Sequence, residues 1–350
     1  MGEPGYFWSK CSALVNQIYR VLPKGNLEGF FKALKGLGVV YAPVKTGAKT
    51  HAFKRVEELA EADLSYVRTM LPPKKLFIAP KENLYELDLE REEFKEAPAG
   101  EARVLLGVHA CDIHALNLLE KVYVEAFTDR LYKARRDNTF LVGWSCTPDE
   151  HCFCRSTGTS YATEGFDLFL HDLGDRFFLR VGSLKGFSFL EAHGGLTSEA
   201  LEEDVGAFKE LEARRAQEFS LEVDFQGLQD MLDLSYDSPL WEEYAEKCLG
   251  CGSCNLVCPC CRCYDVQDHL NVDGVSGVRE RKWYSCMLRD HGLVAGGHNF
   301  RATQAERLRN RVNCKGSLKE GMVNCVGCGR CTVFCPANID YVEILRRVRG

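Results

Sequence analysis

Two segments, CLGCGSCNLVCP at residues 248–259 and CVGCGRCTVFCP at residues 325–336, decide the fold of the second half of this sequence. Each segment spaces four cysteines as C-x2-C-x2-C-x3-C and places a proline directly after the last one. Bacterial proteins that hold a pair of [4Fe–4S] clusters through cysteine thiolates have this spacing. Because a random match to three fixed cysteine offsets is rare, two such matches predict two [4Fe–4S] clusters.

The fourth cysteine of each run is predicted to bind the cluster of the other run. Three cysteines with two-residue spacing wrap around one cluster, whereas the fourth lies too far along the chain and points to the neighbouring cluster. The predicted ligands are Cys248, Cys251, Cys254 and Cys335 for cluster I, and Cys325, Cys328, Cys331 and Cys258 for cluster II. The alternative is a pair of zinc sites, although zinc sites use paired ligands with spacers and no third two-residue step. Adjacent clusters of this kind exchange single electrons.

Further cysteines lie outside the two runs, namely Cys260, Cys261, Cys263, Cys286 and Cys314. Such a thiol is more often buried in the core than bound to a metal. Cys260 or Cys263 is nevertheless an alternative cluster ligand. The 66 residues between the runs are about twice what a compact two-cluster domain needs, and we expect helices there, including one at 301–312. An apolar stripe at Ile339, Val342, Leu345 and Val348 predicts another helix packed on the core.

Composition places the chain among globular proteins of two or three structural units. It has 350 residues, a net charge of −6 and 18 cysteines, 13 of them between Cys248 and Cys335. Such clustering favours metal ligation over disulfides and a reducing, cytoplasmic compartment. We find no signal peptide in the first 25 residues and no apolar run long enough to span a membrane.

Charge is distributed unevenly along the chain. Residues 281–350 carry 13 basic and 5 acidic residues, whereas the first 280 carry 31 and 45. A solvated helix face explains part of this excess, and without a recognisable module nucleic-acid binding is not expected. The sharper interpretation is that basic residues such as Arg301, Arg307, Arg309 and Arg311 compensate anionic clusters and dock an acidic partner.

Residues 1–235 predict an α/β domain, followed over residues 236–350 by a mostly α-helical, ferredoxin-like domain with two [4Fe–4S] clusters. Apolar runs at Arg103–Val108 and Thr139–Trp144 flank a helical stretch at 113–123, an order typical of a parallel sheet. Further on, DLFLHDL and RFFLRVG around Gly174 and Asp175 predict an antiparallel hairpin. A helix is expected at 198–219.

Four cysteines of the α/β domain, Cys111, Cys146, Cys152 and Cys154, predict a possible third metal centre. If the two apolar strands are parallel neighbours, the loops that follow them open at the same edge of the sheet. Their spacing is no recognised cluster signature, so a [4Fe–4S] cluster, a zinc site and uncommitted thiols stay open. Asp112, His109 or His114 are alternatives to Cys111 as the fourth ligand, although each histidine is more often structural. No nucleotide-binding loop is found.

With these motifs in order, the sequence resembles the iron–sulfur beta subunits of cytosolic sulfhydrogenase-type [NiFe] hydrogenases and the related A subunit of anaerobic sulfite reductase. The resemblance covers most of the chain and includes LPPKKLFIAPKE at 71–82, GVHACDIHAL at 107–116, SCTPDEHCFCRSTGT at 145–159, RKWYSCM at 281–287 and AGGHNFR at 295–301, besides the two cysteine runs. His109, Cys260 and Cys261 depart from the residues common in the family, which leaves the surroundings of the clusters open.

The resemblance implies an electron-transfer subunit without catalytic residues of its own. It would connect a flavoprotein subunit that reacts with NAD(P)H to a hydrogenase module or, as the alternative, to the catalytic subunits of a sulfite reductase. A third possibility is an oxidoreductase subunit in which the α/β domain binds a flavin or deazaflavin beside the third centre. Bound flavin in the isolated chain would favour this third hypothesis.

Overall fold

The computed structural model of the chain describes residues 18–98, 100–319 and 322–350. Cys11 and most of the first 25 residues, where a signal peptide would lie, are outside these described ranges. The described helices are α1 Leu27–Lys35, α2 Ala110–Glu120, α3 Arg130–Asp137, α4 Leu184–Ala192, α5 Glu202–Gln217, α6 Leu228–Leu234, α7 Leu240–Lys247, α8 Ser253–Leu256, α9 Gln304–Gly316, α10 Arg330–Val333 and α11 Tyr341–Arg349. A π-helical turn, Lys121–Ala126, continues α2.

The described strands form three sheets. They are β1 Tyr19–Pro23, β2 Val39–Lys45, β3 His51–Arg55, β4 Lys81–Asp88, β5 Glu93–Glu96, β6 Arg103–Val108, β7 Thr139–Trp144, β8 Leu168–Asp172, β9 Arg176–Val181, β10 Ser198–Glu199, β11 Tyr264–Leu270, β12 Ser276–Trp283, β13 Leu318–Lys319 and β14 Met322–Val323. The largest sheet has the order β10-β1-β9-β8-β7-β6-β2-β3.

The centre of the large sheet is parallel and its flanks are antiparallel. Strands β2, β6, β7 and β8 run parallel to one another, and β8 and β9 form the predicted antiparallel hairpin. The prediction that β6 and β7 are parallel neighbours is confirmed. Their carboxyl ends, and therefore the loops that begin at His109 and Ser145, lie at one edge of the sheet.

Helices cover both faces of the large sheet, because its central strands are apolar on both sides. On one face, Phe30 and Phe31 of α1 and Phe189 of α4 pack against β6, β7 and β8. On the other face, Ile113 and Leu116 of α2 join a core that includes α3. The N-terminal half therefore has the α/β architecture that its sequence predicts, and α2 begins directly at the edge where Cys111 lies.

The cysteine-rich half is built on a helical core with the two cysteine runs beside it. Apolar side chains of α6, α7, α9 and α11 form this core. The predicted stripe on α11 is confirmed, since Val342 and Leu345 are buried and Ile339 and Val348 pack against the same core. Helix α9 begins at a capping box in which Thr303 and Glu306 bond to each other's backbone N–H groups, an arrangement that stabilises a helix start.

The expectation of a mostly helical C-terminal half is only partly right. The stretch between the runs contains the hairpin β11–β12 as well as α9. Strand β12 pairs with β4 of the N-terminal half, which gives a second sheet of order β11-β12-β4-β5. At this junction the buried Arg281 forms an ion pair with Glu82 at 2.8 Å. The boundary at residue 235 stays a prediction, since one sheet contains strands from both sides of it.

The helices were compared with the length and hydropathy of a membrane-spanning segment. Within the described ranges, none of them combines the length and the hydropathy that a bilayer crossing requires.

Candidate metal centres

Both cysteine runs adopt the same local conformation. Gly250 and Gly252 in the first run, and Gly327 and Gly329 in the second, have φ between +61° and +79°. This left-handed region is open to glycine at little energetic cost. In each run the second glycine directly precedes a four-residue helix, α8 or α10. Each run therefore curls back so that its first three cysteines can face one volume.

Backbone N–H groups point at three of the cysteine sulfurs. Gly250 donates to Sγ of Cys248 at 3.4 Å, and Gly327 donates to Sγ of Cys325 at 3.5 Å. The amide of Ile339 approaches Sγ of Cys335 at 3.4 Å. Hydrogen bonds to the sulfurs are among the features that set the reduction potential of a [4Fe–4S] cluster.

The first cavity brings together the four cysteines predicted for cluster I. Its lining includes Cys248, Cys251, Cys254 and Cys335. Apolar side chains of the helical core complete the wall, among them Leu308 and Val312 of α9 and Ile344 of α11. Three cysteines of the first run therefore line this cavity together with two of the second, Cys335 and Cys331.

The second cavity brings together the cysteines predicted for cluster II. Its lining includes Cys258, Cys325, Cys328 and Cys331, as well as Cys260. Phe153, from the α/β half, and Tyr341 close the cavity on its apolar sides. Cys331 lines both cavities, so the two volumes are neighbours.

Arg311 lines both cavities and fits an anionic group in either. Its side chain is buried and donates to the carbonyl oxygen of Cys254 at 3.0 Å. Its Nε and Nη1 atoms have no hydrogen-bond partner among the described residues. A buried guanidinium with unpaired N–H groups is costly, and the sulfur atoms of a negatively charged cluster are acceptors that would satisfy it.

Two buried lysines add positive charge near Cys258. Lys315 of α9 lines the second cavity, and the thiols of Cys258 and Cys261 outweigh the effect of burial and raise its pKa. Lys74 donates to the carbonyl oxygens of Cys258 and Cys261 at 2.7 and 2.8 Å. The basic excess of the C-terminal segment pointed to Arg311, whereas Lys74 lies in the other half of the chain and had no such signal.

The surplus cysteines do not share one environment. Cys260 lines the second cavity, and Cys261 lies buried beside Cys258. Cys286 accepts a hydrogen bond from Asn255 at 3.2 Å, and Cys314 is exposed. Cys260 therefore stays an alternative ligand by position, whereas Cys263 is absent from the lining of either cavity.

A preformed site for a single metal ion is not found in the described part of the chain. No three His, Cys, Asp or Glu side chains there are close enough together to hold one ion. Zinc needs its thiolates converged at about 2.3 Å from one centre. A [4Fe–4S] cluster separates its cysteines more widely, because each thiolate binds a different iron.

The four cysteines of the α/β half also lie near one another. Cys111 is in the first turn of α2, and Cys146, Cys152 and Cys154 all lie in the loop that follows β7. Cys111, Cys152 and Cys154 pack against one another together with Phe219. Burial, followed by the neighbouring thiols of Cys146 and Cys152, raises the pKa of Cys154.

The alternatives to Cys111 as fourth ligand have other partners. Asp112 accepts two hydrogen bonds from Arg330, both at 2.7 Å. The ring of His109 stacks on Tyr66 with centroids 4.1 Å apart. Nε2 of His114 lies 2.8 Å from the carbonyl oxygen of Tyr161. Asp112 and His114 are thus engaged, whereas Nε2 of His109 has no hydrogen-bond partner among the described residues, so His109 stays an alternative beside Cys111.

A cleft of about 340 Å³ opens beside Cys146 at the carboxyl edge of the large sheet. Tyr66, Trp144 and Arg215 also line it. Its volume lies at the lower end of the range of small-molecule sites, and such sites often occur at this edge of α/β sheets.

Comparisons with known proteins agree with these two cavities. A family model described as a 4Fe-4S dicluster domain matches residues 247–339. Sulfhydrogenase 2 subunit beta of Pyrococcus furiosus is 47% identical over 321 residues, which cover 91% of this chain and 95% of that protein. The chain is thus an iron–sulfur protein with [4Fe–4S] clusters and an electron-transport role, and it belongs to the family of the sulfhydrogenase beta subunits.

Proposed function

We propose that this chain passes electrons between an NAD(P)H-linked flavoprotein subunit and a [NiFe]-hydrogenase module. In this proposal Cys248, Cys251, Cys254 and Cys335 bind one [4Fe–4S] cluster, and Cys325, Cys328, Cys331 and Cys258 bind the other. The observation that carries it is the pair of adjoining cavities, each lined by three cysteines of one run and the fourth cysteine of the other.

The surroundings of the cavities suit electron transfer rather than conversion of a substrate. A bound [4Fe–4S] cluster supplies one-electron oxidation and reduction. The chain holds it in an apolar wall that limits water, formed by residues such as Leu308, Val312 and Ile344. Arg311, between the two cavities, offsets negative charge on both sides. None of these groups is a nucleophile or a proton donor placed beside an open substrate site.

The first cavity reaches the protein surface, which supports electron exchange with a partner there. Cys251 is exposed, and the neighbouring Leu249 exposes 66% of its surface. An exposed apolar residue beside a ligand allows a partner to approach closely. The second cavity lies deeper, since Cys258 and Cys260 are buried.

The proposal is tested on the complex purified anaerobically with its partners, identified by mass spectrometry. We expect Cys251→Ala to reduce H2-dependent reduction of NAD(P)+ at least tenfold. Reduction of a viologen dye by the hydrogenase module itself should persist. Cys314→Ala, a change at an exposed thiol absent from both cavity linings, is the control and should retain both activities. Undiminished NAD(P)+ reduction in the Cys251→Ala complex would contradict the relay.

Two alternatives predict different outcomes of the same purification. A complex whose partners reduce sulfite, and that lacks nickel, would identify the chain as the A subunit of a sulfite reductase. The cleft beside Cys146 favours the other alternative, a flavin or deazaflavin held by the α/β half. Stoichiometric release of flavin from the denatured isolated chain would support that alternative.

We also propose a reducing cytoplasm as the compartment. All 17 cysteines in the described ranges are free thiols. Free thiols in this number are typical of reducing compartments, where disulfides are rare.

A further inference from the structure

The strongest unassigned feature is the group of four cysteines at the carboxyl edge of the large sheet. Two separate segments of the chain supply them: the start of α2 and the loop that follows β7. We propose that Cys111, Cys146, Cys152 and Cys154 bind a third [4Fe–4S] cluster, adjacent to the second cavity. The site depends on the proposed function only for its place in the order of electron transfer.

Buried arginines face two of the four sulfurs. Nη2 of Arg68 donates to Sγ of Cys152 at 3.1 Å, and Nη2 of Arg215 donates to Sγ of Cys146 at 3.4 Å. Both arginine side chains are less than one-tenth exposed. Burying a guanidinium is costly unless an anion accompanies it. Neutral thiols are weak acceptors, whereas the thiolates and sulfides of a cluster carry the negative charge that such arginines match.

Arg68 has a close carboxylate partner, whereas the contact of Arg215 with a carboxylate is longer. Nη1 of Arg68 donates to Asp149 at 2.6 Å. Nη1 of Arg215 lies 3.5 Å from Glu212, and its Nε donates to the carbonyl oxygen of Cys146 at 2.6 Å. Two guanidinium groups therefore meet one close carboxylate, and positive charge is left over beside the thiols.

Burial raises the pKa of Cys152 to about 12 and also raises the pKa of Cys111 and Cys154. Metal binding displaces the protons of such thiols and stabilises the thiolates.

The four cysteines adjoin the second cavity through direct backbone packing. The amide of Phe153 donates to the carbonyl oxygen of Gly327 at 2.8 Å, and Oγ1 of Thr159 donates to that of Val326 at 2.8 Å. A Cβ atom at Gly327 would lie 2.5 Å from the backbone of Phe153 and Cys154. Cys111 also packs with Cys328 and Cys258 of the second cavity. The three proposed cluster sites therefore lie side by side in the order cluster I, cluster II, third cluster.

The position of this site gives the relay a second end. Cys251 reaches the surface beside the first cavity, and Cys146 lines the cleft at the opposite end of the series. A subunit that connects two redox partners needs two accessible ends. The third cluster would supply the second one.

Iron and labile sulfide are counted on the full-length chain prepared anaerobically, with protein concentration from amino-acid analysis. We expect about twelve irons and twelve sulfides per chain. A value of about eight would overturn the third cluster and leave the proposed relay intact, whereas the absence of iron would overturn both.

A variant assigns the irons to the site. Cys146→Ala should lose between one and about four irons per chain and keep the electron paramagnetic resonance signals of the reduced C-terminal pair. Those retained signals show that the variant is folded. Cys314→Ala, the exposed control, should retain all the iron. An unchanged iron count in Cys146→Ala would overturn the assignment of this site.

Discussion

The ion pair between Arg330 and Asp112 joins the second cysteine run to the α/β half, and its removal should weaken the whole molecule. Two parallel bonds of 2.7 Å connect the guanidinium to both carboxylate oxygens. Nε of Arg330 donates to the carbonyl oxygen of Thr69 at 2.8 Å. The side chains are 1% and 0% exposed. Asp112→Asn leaves the guanidinium buried without its counter-ion, which costs about 3–5 kcal/mol.

The effect is measured as the midpoint of thermal bleaching of cluster absorbance under anaerobic conditions. At about 2–4 °C per kcal/mol for a unit of 150–250 residues, we expect Asp112→Asn to lower the midpoint by about 6–20 °C. Arg330→Gln should lower it as well. The double variant should lose less than the sum of the single changes, because neither charge is then buried alone.

An exposed pair of the same geometry provides the matched control. Arg347 donates to both carboxylate oxygens of Glu243 at 2.7 Å, but the two side chains are 41% and 45% exposed. Because water and salt screen an exposed pair, Glu243→Gln should shift the midpoint very little. If Asp112→Asn shifts the midpoint no more than Glu243→Gln, the reasoning from burial is wrong.

Three further predictions concern the close contact of the two halves, a buried histidine and the metal. Gly327→Ala should lower the bleaching midpoint more than Gly274→Ala does. Both glycines have positive φ, but only at Gly327 would the added Cβ atom collide with backbone atoms. Equal shifts would argue against tight packing between the second cysteine run and the α/β half. The pKa of His171 is lowered to about 4, chiefly by burial, so as the pH falls the unfolded chain takes up a proton on this histidine before the folded chain does. The free energy of unfolding should therefore be fully retained above about pH 6.5 and should decrease as the pH drops toward 4. His171→Gln should flatten this part of the plot of melting temperature against pH. Removal of iron by oxidation and chelation should increase amide hydrogen exchange in both cysteine runs, which pack against the helical core. The strands β6 and β7 should stay protected from exchange. Equal protection of the runs and the strands after iron removal would contradict this prediction.

Several elements were predictable because their signals are local. Strands β6 and β7 are continuous apolar runs bounded by polar residues, and their limits match the structure. Helix α11 carries its apolar stripe in its own sequence. The convergence of Cys111 with the Cys146 loop followed from one further rule, that loops after parallel strands share an edge.

The hairpin β11–β12 was missed because its signal is weak. Strand β11 is largely exposed, so its alternate apolar residues Tyr264, Val266 and Leu270 cover no core, and the turn is marked only by Asp273-Gly274. Its partner strand is held in place by pairing with β4, nearly 200 residues earlier in the chain. Pairing with a distant strand depends on the backbone bonds that the assembled fold makes available, and the segment alone does not show them.

The sequence by itself determined the cofactor class and the crossed pairing expected of the two runs, because a thiolate spacing of two residues is set by short-range chain geometry. Only the tertiary structure decided which charges surround the thiols. Arg311, Arg215 and the pair Arg68 and Lys74 come from three different segments, and their burial beside sulfur depends on how those segments pack. The free energy of a buried charge is set by its neighbours in space, and no pattern along the chain encodes those neighbours.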